Sequence, residues 1–212
     1  MSLPLIPLTS AGPAPARRAV LARRIRLLVA ATIAYNLAEA AVAIGAGAAA
    51  SSTALLGFGL DSVIEVSSAA VLAWQFAGRD PEAREKTALR IIAVSFFALA
   101  AYVTVQSVRA LLGTAEAGHS AVGMILAAVS LMVMPVLSYA QRRTGRELHS
   151  RTAVADSKQT LLCTYLSAAL LVGLGLNALL GWGWADPVAA LVIAVVAGQE
   201  GRAAWRGDDC CR

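Results

Sequence analysis

Six long apolar stretches constrain the fold of this chain more than any other feature of its sequence. A helix needs roughly 20 predominantly apolar residues to cross a bilayer, and each stretch is about that long. Of the 212 residues, 58% are hydrophobic and 15% are charged, whereas a soluble domain has about 25% charged residues. The sequence therefore predicts an all-α membrane protein with six transmembrane helices. The predicted spans are Leu27–Ala49, Ala54–Phe76, Ala88–Leu111, Ala121–Tyr139, Val154–Leu179 and Trp184–Trp205.

The distribution of Lys and Arg predicts how these spans are oriented. Basic residues precede the first span, separate the second from the third and the fourth from the fifth, and follow the sixth. The loops around Ser51, Glu116 and Gly183 contain none. Because basic loops stay on the cytoplasmic side, both termini are predicted to be cytoplasmic. The membrane accounts for the net charge of +5, and we expect no nucleic-acid partner.

The spans divide the chain into three parts. Residues 1–26 form a basic cytoplasmic leader, predicted to be disordered because its prolines oppose regular structure. Residues 27–206 form the transmembrane domain, and residues 207–212 form a short cytoplasmic tail that contains cysteines. A cleaved signal peptide is the alternative for the first span, but its apolar run is too long and begins only after the Arg-rich leader.

The segment GFGLDSVIEV places two carboxylates, Asp61 and Glu65, in the middle of the second span. Residues four apart lie on one face of a helix, and an unpaired charge at the centre of a bilayer costs roughly 3 kcal/mol or more. A buried pair of like charges needs a cation, a proton or a basic partner. Arg109 and Lys158 are the basic candidates. We interpret the pair as an ion or proton site, with a structural ion pair as the alternative.

The fifth span, in the segment ADSKQTLLC, repeats the four-residue spacing with Gln159 and Cys163. Two helices that each offer such a pair can surround one metal with four ligands, which is a tetrahedral count. Carboxylates suit hard or borderline divalent cations, and a thiolate favours softer ones. The predicted metal ligands are Asp61, Glu65, Gln159 and Cys163. In a competing register, Asp156, one turn nearer the cytoplasm, is the ligand with Gln159 beside it.

A further set of polar residues, Asn36, Glu39 and Asp156, forms a predicted additional polar site. Asn36 and Glu39 lie three apart on one face of the first span. Glu39 has an alternative role as a structural partner of Asn36 or Arg109. For Asp156 the alternative is a position at the cytoplasmic interface, since polar side chains near the ends of spans reach the headgroups.

The chain closes with GDDCCR, which places two carboxylates and two thiols next to one another. Flexible thiolates and carboxylates bind soft cations, so Cys210 and Cys211, with Asp208 and Asp209, are predicted to capture metal at the cytoplasmic mouth. The alternative is a lipid-modified tail, or a reactive tail without a role.

Three segments, TALLGFGLDSVIEVSSAAV, ADSKQTLLC and WADPVAALVIAVVAG, resemble the transmembrane domain of the cation diffusion facilitator family. The similarity covers Leu27 to Arg206 and does not extend to the cytoplasmic C-terminal domain that most members carry. The resemblance implies that Asp61 and Glu65, with two residues of span five, bind zinc, cadmium, cobalt, iron or manganese. It also implies exchange of the cation for protons by a homodimer. The common span-five pattern is His followed by Asp, and those positions are Gln159 and Cys163 here.

Together these observations predict a secondary transporter that exports a divalent transition-metal cation from the cytoplasm in exchange for protons. We expect an integral protein of a bacterial inner (plasma) membrane with no permanent cofactor. The alternatives are a non-transporting membrane subunit or sensor derived from the same fold, in which Gln159 marks the loss of a ligand, and a transporter of an organic cation. The sequence has no GxxxxGK[ST] phosphate loop, so it gives ATP-driven pumping no support. No enzymatic activity is predicted, because no nucleophile, base and acid are arranged for catalysis and His119 and His149 fall on opposite sides of the membrane.

Overall fold

The computed structural model describes residues 14–49, 53–113, 121–180 and 184–207, and these residues form six α-helices. Within those ranges there is no β-strand, which confirms the all-α prediction for them. Five of the predicted spans lie inside one helix each, and the sixth helix begins one residue after the predicted start. The helices are α1 Pro15–Ala49, α2 Thr53–Ala77, α3 Pro81–Leu111, α4 Ala121–Leu148, α5 Arg151–Leu180 and α6 Ala185–Arg206.

The outer surface of the helix bundle carries many large apolar side chains, and its interior is partly polar. This arrangement is expected in lipid. Large apolar side chains such as Met132, Val136 and Ile125 point outward, and Met132 is 76% exposed. Four of the helices contain segments that are long and apolar enough to cross a membrane. These segments are Pro15–Ala46, Leu56–Ala77, Pro81–Leu111 and Ala121–Leu148. The chain is therefore an integral membrane protein.

The helices pack in three close pairs, α1 with α2, α4 with α5 and α3 with α6. Further contacts join α2 to α3, α5 to α6 and α1 to α4, and α2 also touches α5. The apolar cluster of α3, α5 and α6 includes Ile92, Phe96 and Ala197. On α1, α2, α4 and α5, by contrast, many of the buried residues are polar, and these four helices therefore hold the candidate site.

Helix α1 begins at Pro15. Residues 15–26 are therefore helical, and the prediction that they are disordered is wrong. Proline is compatible with the first turn of a helix. Leu21, Ile25 and Val29 follow at intervals of four and are buried in one cluster with Leu72 of α2. The apolar stripe thus starts before the long apolar run that defined the first span. Residues 1–13 of the predicted leader lie outside the described residues.

Only His149 and Ser150 separate α4 from α5. His149 has a left-handed backbone with a φ of 57°, and the Ser150 amide donates to the Gly145 carbonyl at 2.9 Å. This is the Schellman geometry that ends a helix and satisfies its last carbonyls. Gly145 also faces the start of α5, because a Cβ built on it would lie 2.8 Å from the Ala153 Cβ. The absence of a side chain at Gly145 therefore permits the close approach of α4 and α5 beside the turn.

Candidate cation site

The inner face of α2 carries the two predicted carboxylates. Asp61, Glu65 and Ser68 are all buried, and their spacing of three or four residues places them on one helical face. Because α2 contacts α5 across the bundle, this face is turned toward the second predicted ligand helix.

The structure brings Cys163 of α5 to the α2 carboxylates. Its thiol is 3% exposed and lies close enough to Asp61 and Glu65 to interact electrostatically with both. The Thr160 hydroxyl, one turn earlier on α5, also lies close to Glu65. Two carboxylates, a thiol and a hydroxyl therefore face one another between α2 and α5.

Neither carboxylate oxygen of Glu65 has a hydrogen-bond partner among the described residues. Thr160 and Cys163 are nearby, but neither meets hydrogen-bond geometry with it. A buried charge is costly unless it is paired or hydrogen-bonded, and unsatisfied buried polar groups are rare in folded proteins. The Glu65 carboxylate is thus available for a proton or a cation.

Gln159 is buried one turn before Cys163, and both atoms of its side-chain amide are also without a hydrogen-bond partner among the described residues. Within the same parts of the chain, no group of three His, Cys, Asp or Glu side chains is spaced to hold a metal ion. The two carboxylates and the thiol therefore face one another without forming a closed coordination shell.

A third carboxylate, that of Glu39 on α1, lies beside this group. Its two oxygens accept hydrogen bonds from the Ser62 hydroxyl at 2.8 Å and from the Tyr35 hydroxyl at 3.3 Å. Glu39 also interacts electrostatically with Asp61 and Cys163. Its hydrogen-bond partners are thus neutral hydroxyls, one of them next to Asp61 in the sequence.

Asp156 lies in a separate hydrogen-bond network that joins four helices. Its carboxylate accepts from the Ser68 hydroxyl at 2.9 Å and from the Gln141 amide at 3.3 Å. The same amide nitrogen of Gln141 lies 3.1 Å from the Thr32 hydroxyl. Asp156 is 1% exposed, so it lies within the bundle and not at a solvated interface. It remains within electrostatic reach of Glu65.

Two other polar residues singled out from the sequence have partners of their own. The Asn36 amide nitrogen donates to the Thr32 carbonyl at 3.0 Å, while its oxygen has no partner among the described residues. Lys158, a candidate partner of the α2 carboxylates, donates to Glu200 of α6 at 2.6 Å. The predicted capture site at Cys210 and Cys211, with Asp208 and Asp209, lies outside the described residues.

Sequence reasoning missed Gln141, Thr160 and Tyr35. Gln141 was overlooked because the predicted fourth span ended at Tyr139, two residues before it. The available signal was its position on the same face as Ser138 and Thr144, which are also buried. Thr160 carries no signal in the sequence, because Thr in spans commonly bonds to its own helix, and it does donate to the Asp156 carbonyl at 3.3 Å.

Two comparisons with known proteins bear on the family of this chain. The family described as the cation efflux transmembrane domain matches residues 29–204. An uncharacterized transporter of Synechocystis sp. is 26% identical to this chain over 180 residues, which are 80% of this chain and 58% of the relative. The chain thus spans a little over half the length of that relative. Because the family match covers most of the chain, this chain belongs to the cation diffusion facilitator family of cation transporters.

Proposed function

We propose that this protein is a secondary transporter that exports a divalent transition-metal cation from the cytoplasm in exchange for protons. The observation that carries the proposal is the unpartnered carboxylate of Glu65, which lies with Asp61 opposite the Cys163 thiol. Metal ligands must lose their protons before they bind. A site of this composition releases protons as it loads and takes them up as it unloads, so one site couples the two fluxes.

All six helices cross the membrane in this proposal, with both termini on the cytoplasmic side of a bacterial inner membrane. Its support is the restriction of basic loops to alternate connections, which is the pattern of cytoplasmic loops. A cation leaving the cytoplasm then approaches from the end of the bundle where the Asp156 network lies. It next reaches Glu65, and Asp61 with Glu39 lies further along the same path.

The ligands in this proposal are Asp61, Glu65 and Cys163, with Gln159 as the fourth. A cation entering the site draws these side chains together, since they are not spaced as a closed shell among the described residues. Two carboxylates with one thiolate suit a borderline or soft divalent cation, such as zinc, cobalt or cadmium, better than manganese. Iron is intermediate between these metals in its preference for thiolate over oxygen ligands. The homodimer implied by the family resemblance is the expected assembly.

The competing function is a non-transporting subunit or sensor that uses the same fold. It is favoured by one observation, the unpartnered amide of Gln159, which stands where the family pattern has a stronger ligand. Such a protein would still bind a cation at Asp61 and Glu65 but would not move it across the membrane. Binding and transport must therefore be measured on the same sample.

The deciding experiment is transport into proteoliposomes with an imposed pH gradient, tested metal by metal. We expect uptake of zinc or cadmium with counterflow of protons, and no uptake by Asp61→Asn, because that change removes a ligand charge. The matched control is Glu82→Gln, which removes a carboxylate that is mostly exposed and bound to Arg18. Wild-type rates in Asp61→Asn would show that the pair is structural. Binding without transport by the wild-type protein would select the sensor.

A further inference from the structure

An open groove of about 460 Å³ is lined by residues of α3 and α6. Its lining residues are Phe97, Arg202, Trp205 and Arg206. The guanidinium of Arg90 lies over the Trp205 ring, 5.7 Å from the ring centroid. Three arginines and two aromatic rings thus share one surface of the α3 and α6 pair, away from the candidate cation site.

These arginines are exposed and form no ion pair with the described residues, whose ion pairs involve other basic side chains. Arg84 differs from these arginines in having a hydrogen-bond partner within the described part of the protein. It also lies over a Trp ring, that of Trp74, but it donates to the Trp74 carbonyl at 3.0 Å. Among the residues that the structure describes, the groove therefore carries positive charge that no carboxylate balances. Asp208 and Asp209 follow in the sequence and lie outside the described residues.

The groove continues from this charged end onto an apolar surface. Arg90 and Phe97 are seven residues apart on α3, which corresponds to about 10 Å along a helix. Phe97 is 38% exposed, and its neighbour Val94 on the same helix is also exposed. Gly201 of α6 packs closely against this strip, because a Cβ built there would lie 2.9 Å from the Phe97 ring. The arginines can bind the headgroup of a phospholipid, and the apolar strip beside them can bind part of its acyl chain.

The position of the groove fits a membrane interface. Arg206 is the last residue of α6, and Trp205 is 52% exposed. Trp is enriched where the bilayer meets water, and basic pockets between helices on the cytoplasmic side bind anionic headgroups. Arginine also matches phosphate, because its planar group donates two parallel hydrogen bonds.

We propose that this groove binds an anionic phospholipid of the cytoplasmic leaflet. The phosphate lies against Arg202 and Arg206, with Arg90 and Trp205 at its side, and an acyl chain follows Phe97. The choice of leaflet rests on the orientation given under the proposed function, whereas the lipid contact itself does not depend on metal transport.

Fluorescence of Trp205 tests the proposal directly. The variant retains Trp205 alone, with the three other tryptophans replaced by Phe, and is placed in nanodiscs that contain brominated phosphatidylglycerol or brominated phosphatidylcholine. We expect stronger quenching by the anionic lipid at equal mole fraction. Arg202→Gln with Arg206→Gln should remove the difference. The matched control, Arg17→Gln with Arg18→Gln, removes two arginines that already pair with Glu147 and Glu82 and should retain it.

Equal quenching by the two lipids in the retained-Trp205 variant overturns the proposal, and this comparison stands even where the double variant does not fold. If inorganic phosphate abolishes the difference in quenching between the two lipids, the arginines bind a free anion and the lipid proposal is overturned. If neither lipid quenches Trp205, and if cysteines substituted at position 205 crosslink two chains, the groove binds a second copy of the chain and the lipid proposal is overturned. None of these readouts requires metal, so a failed transport assay leaves the lipid test intact.

Discussion

Ser62 on α2 donates a 2.8 Å hydrogen bond to Glu39 on α1, and this bond holds a third buried carboxylate beside Asp61. Glu39 and Asp61 interact electrostatically, although they belong to different helices. Like charges at close range disfavour simultaneous ionisation, so a cation that reaches Asp61 also changes the surroundings of Glu39. The α1 carboxylate is thereby connected to the predicted ligands without belonging to their set.

Replacing Glu39 by Gln tests that connection. Gln retains an oxygen that accepts from Ser62 but removes the charge. We expect the affinity for zinc or cadmium to fall on the order of tenfold, because the variant removes a negative charge that attracts a cation bound near Asp61. Isothermal titration on purified protein measures it. Tyr35→Phe, which removes the 3.3 Å bond to Glu39 and keeps the charge, is the control. An unchanged affinity in Glu39→Gln would leave this carboxylate a structural role.

Cys163→Ser tests the thiol as a ligand. A hydroxyl binds soft cations poorly, yet resembles the oxygen ligands that manganese accepts. We therefore expect transport of cadmium or zinc to fall far more than transport of manganese. Gln159→His with Cys163→Asp restores the pattern common in the family and should favour zinc. Transport rates of the same set of metals in proteoliposomes provide the comparison.

The competing register makes the opposite prediction. If Asp156 is the ligand, Asp156→Asn abolishes transport and Cys163→Ser leaves the metal preference unchanged. The proximity of the Cys163 thiol to Asp61 and Glu65 favours the first register, since the Asp156 carboxylate is already hydrogen-bonded to Ser68. An unchanged profile in both variants would remove α5 from the site.

Gly145→Ala tests the close approach of α4 and α5. A methyl group there meets the Ala153 Cβ at 2.8 Å and the α5 backbone at 3.2 Å, and neither can move without shifting the helix. Overpacking of this kind typically costs about 1–3 kcal/mol, so we expect a lower melting temperature in detergent. Gly45→Ala is the control, because nothing lies within 4 Å of that position. Equal melting temperatures for the two variants would contradict the tight packing.

Most of the helical framework could be predicted from the sequence, because apolar runs of membrane length and basic loops are local signals. The start of α1 could not be read in this way. Residues 15–26 contain five arginines, and their helix is explained by burial of Leu21 and Ile25 against α2. A sparse apolar stripe in a charged segment becomes visible only when its partner helix is known.

The candidate site shows the same limit. Asp61 and Glu65 stand out in sequence because charge is rare at bilayer depth. The partners of Asp156 cannot be recognised in the sequence, since Ser68 and Gln141 are 88 and 15 residues away along the chain. Common residue types such as Ser and Thr carry no signal until the packing of helices brings them to a carboxylate. This is why Thr160 and Tyr35 were found only in the structure.

Thiol labelling tests the orientation of the chain, on which the direction of transport depends. Of the three cysteines, Cys163 is 3% exposed and should be protected from impermeant reagents. Cys210 and Cys211 follow α6 in the sequence, and with a cytoplasmic C-terminus they react in everted vesicles and not in intact cells. The control, Cys210→Ser with Cys211→Ser, should label in neither preparation. Labelling of the unaltered protein in intact cells would place the C-terminus outside and reverse the proposed export, because the Asp156 network would then face away from the cytoplasm.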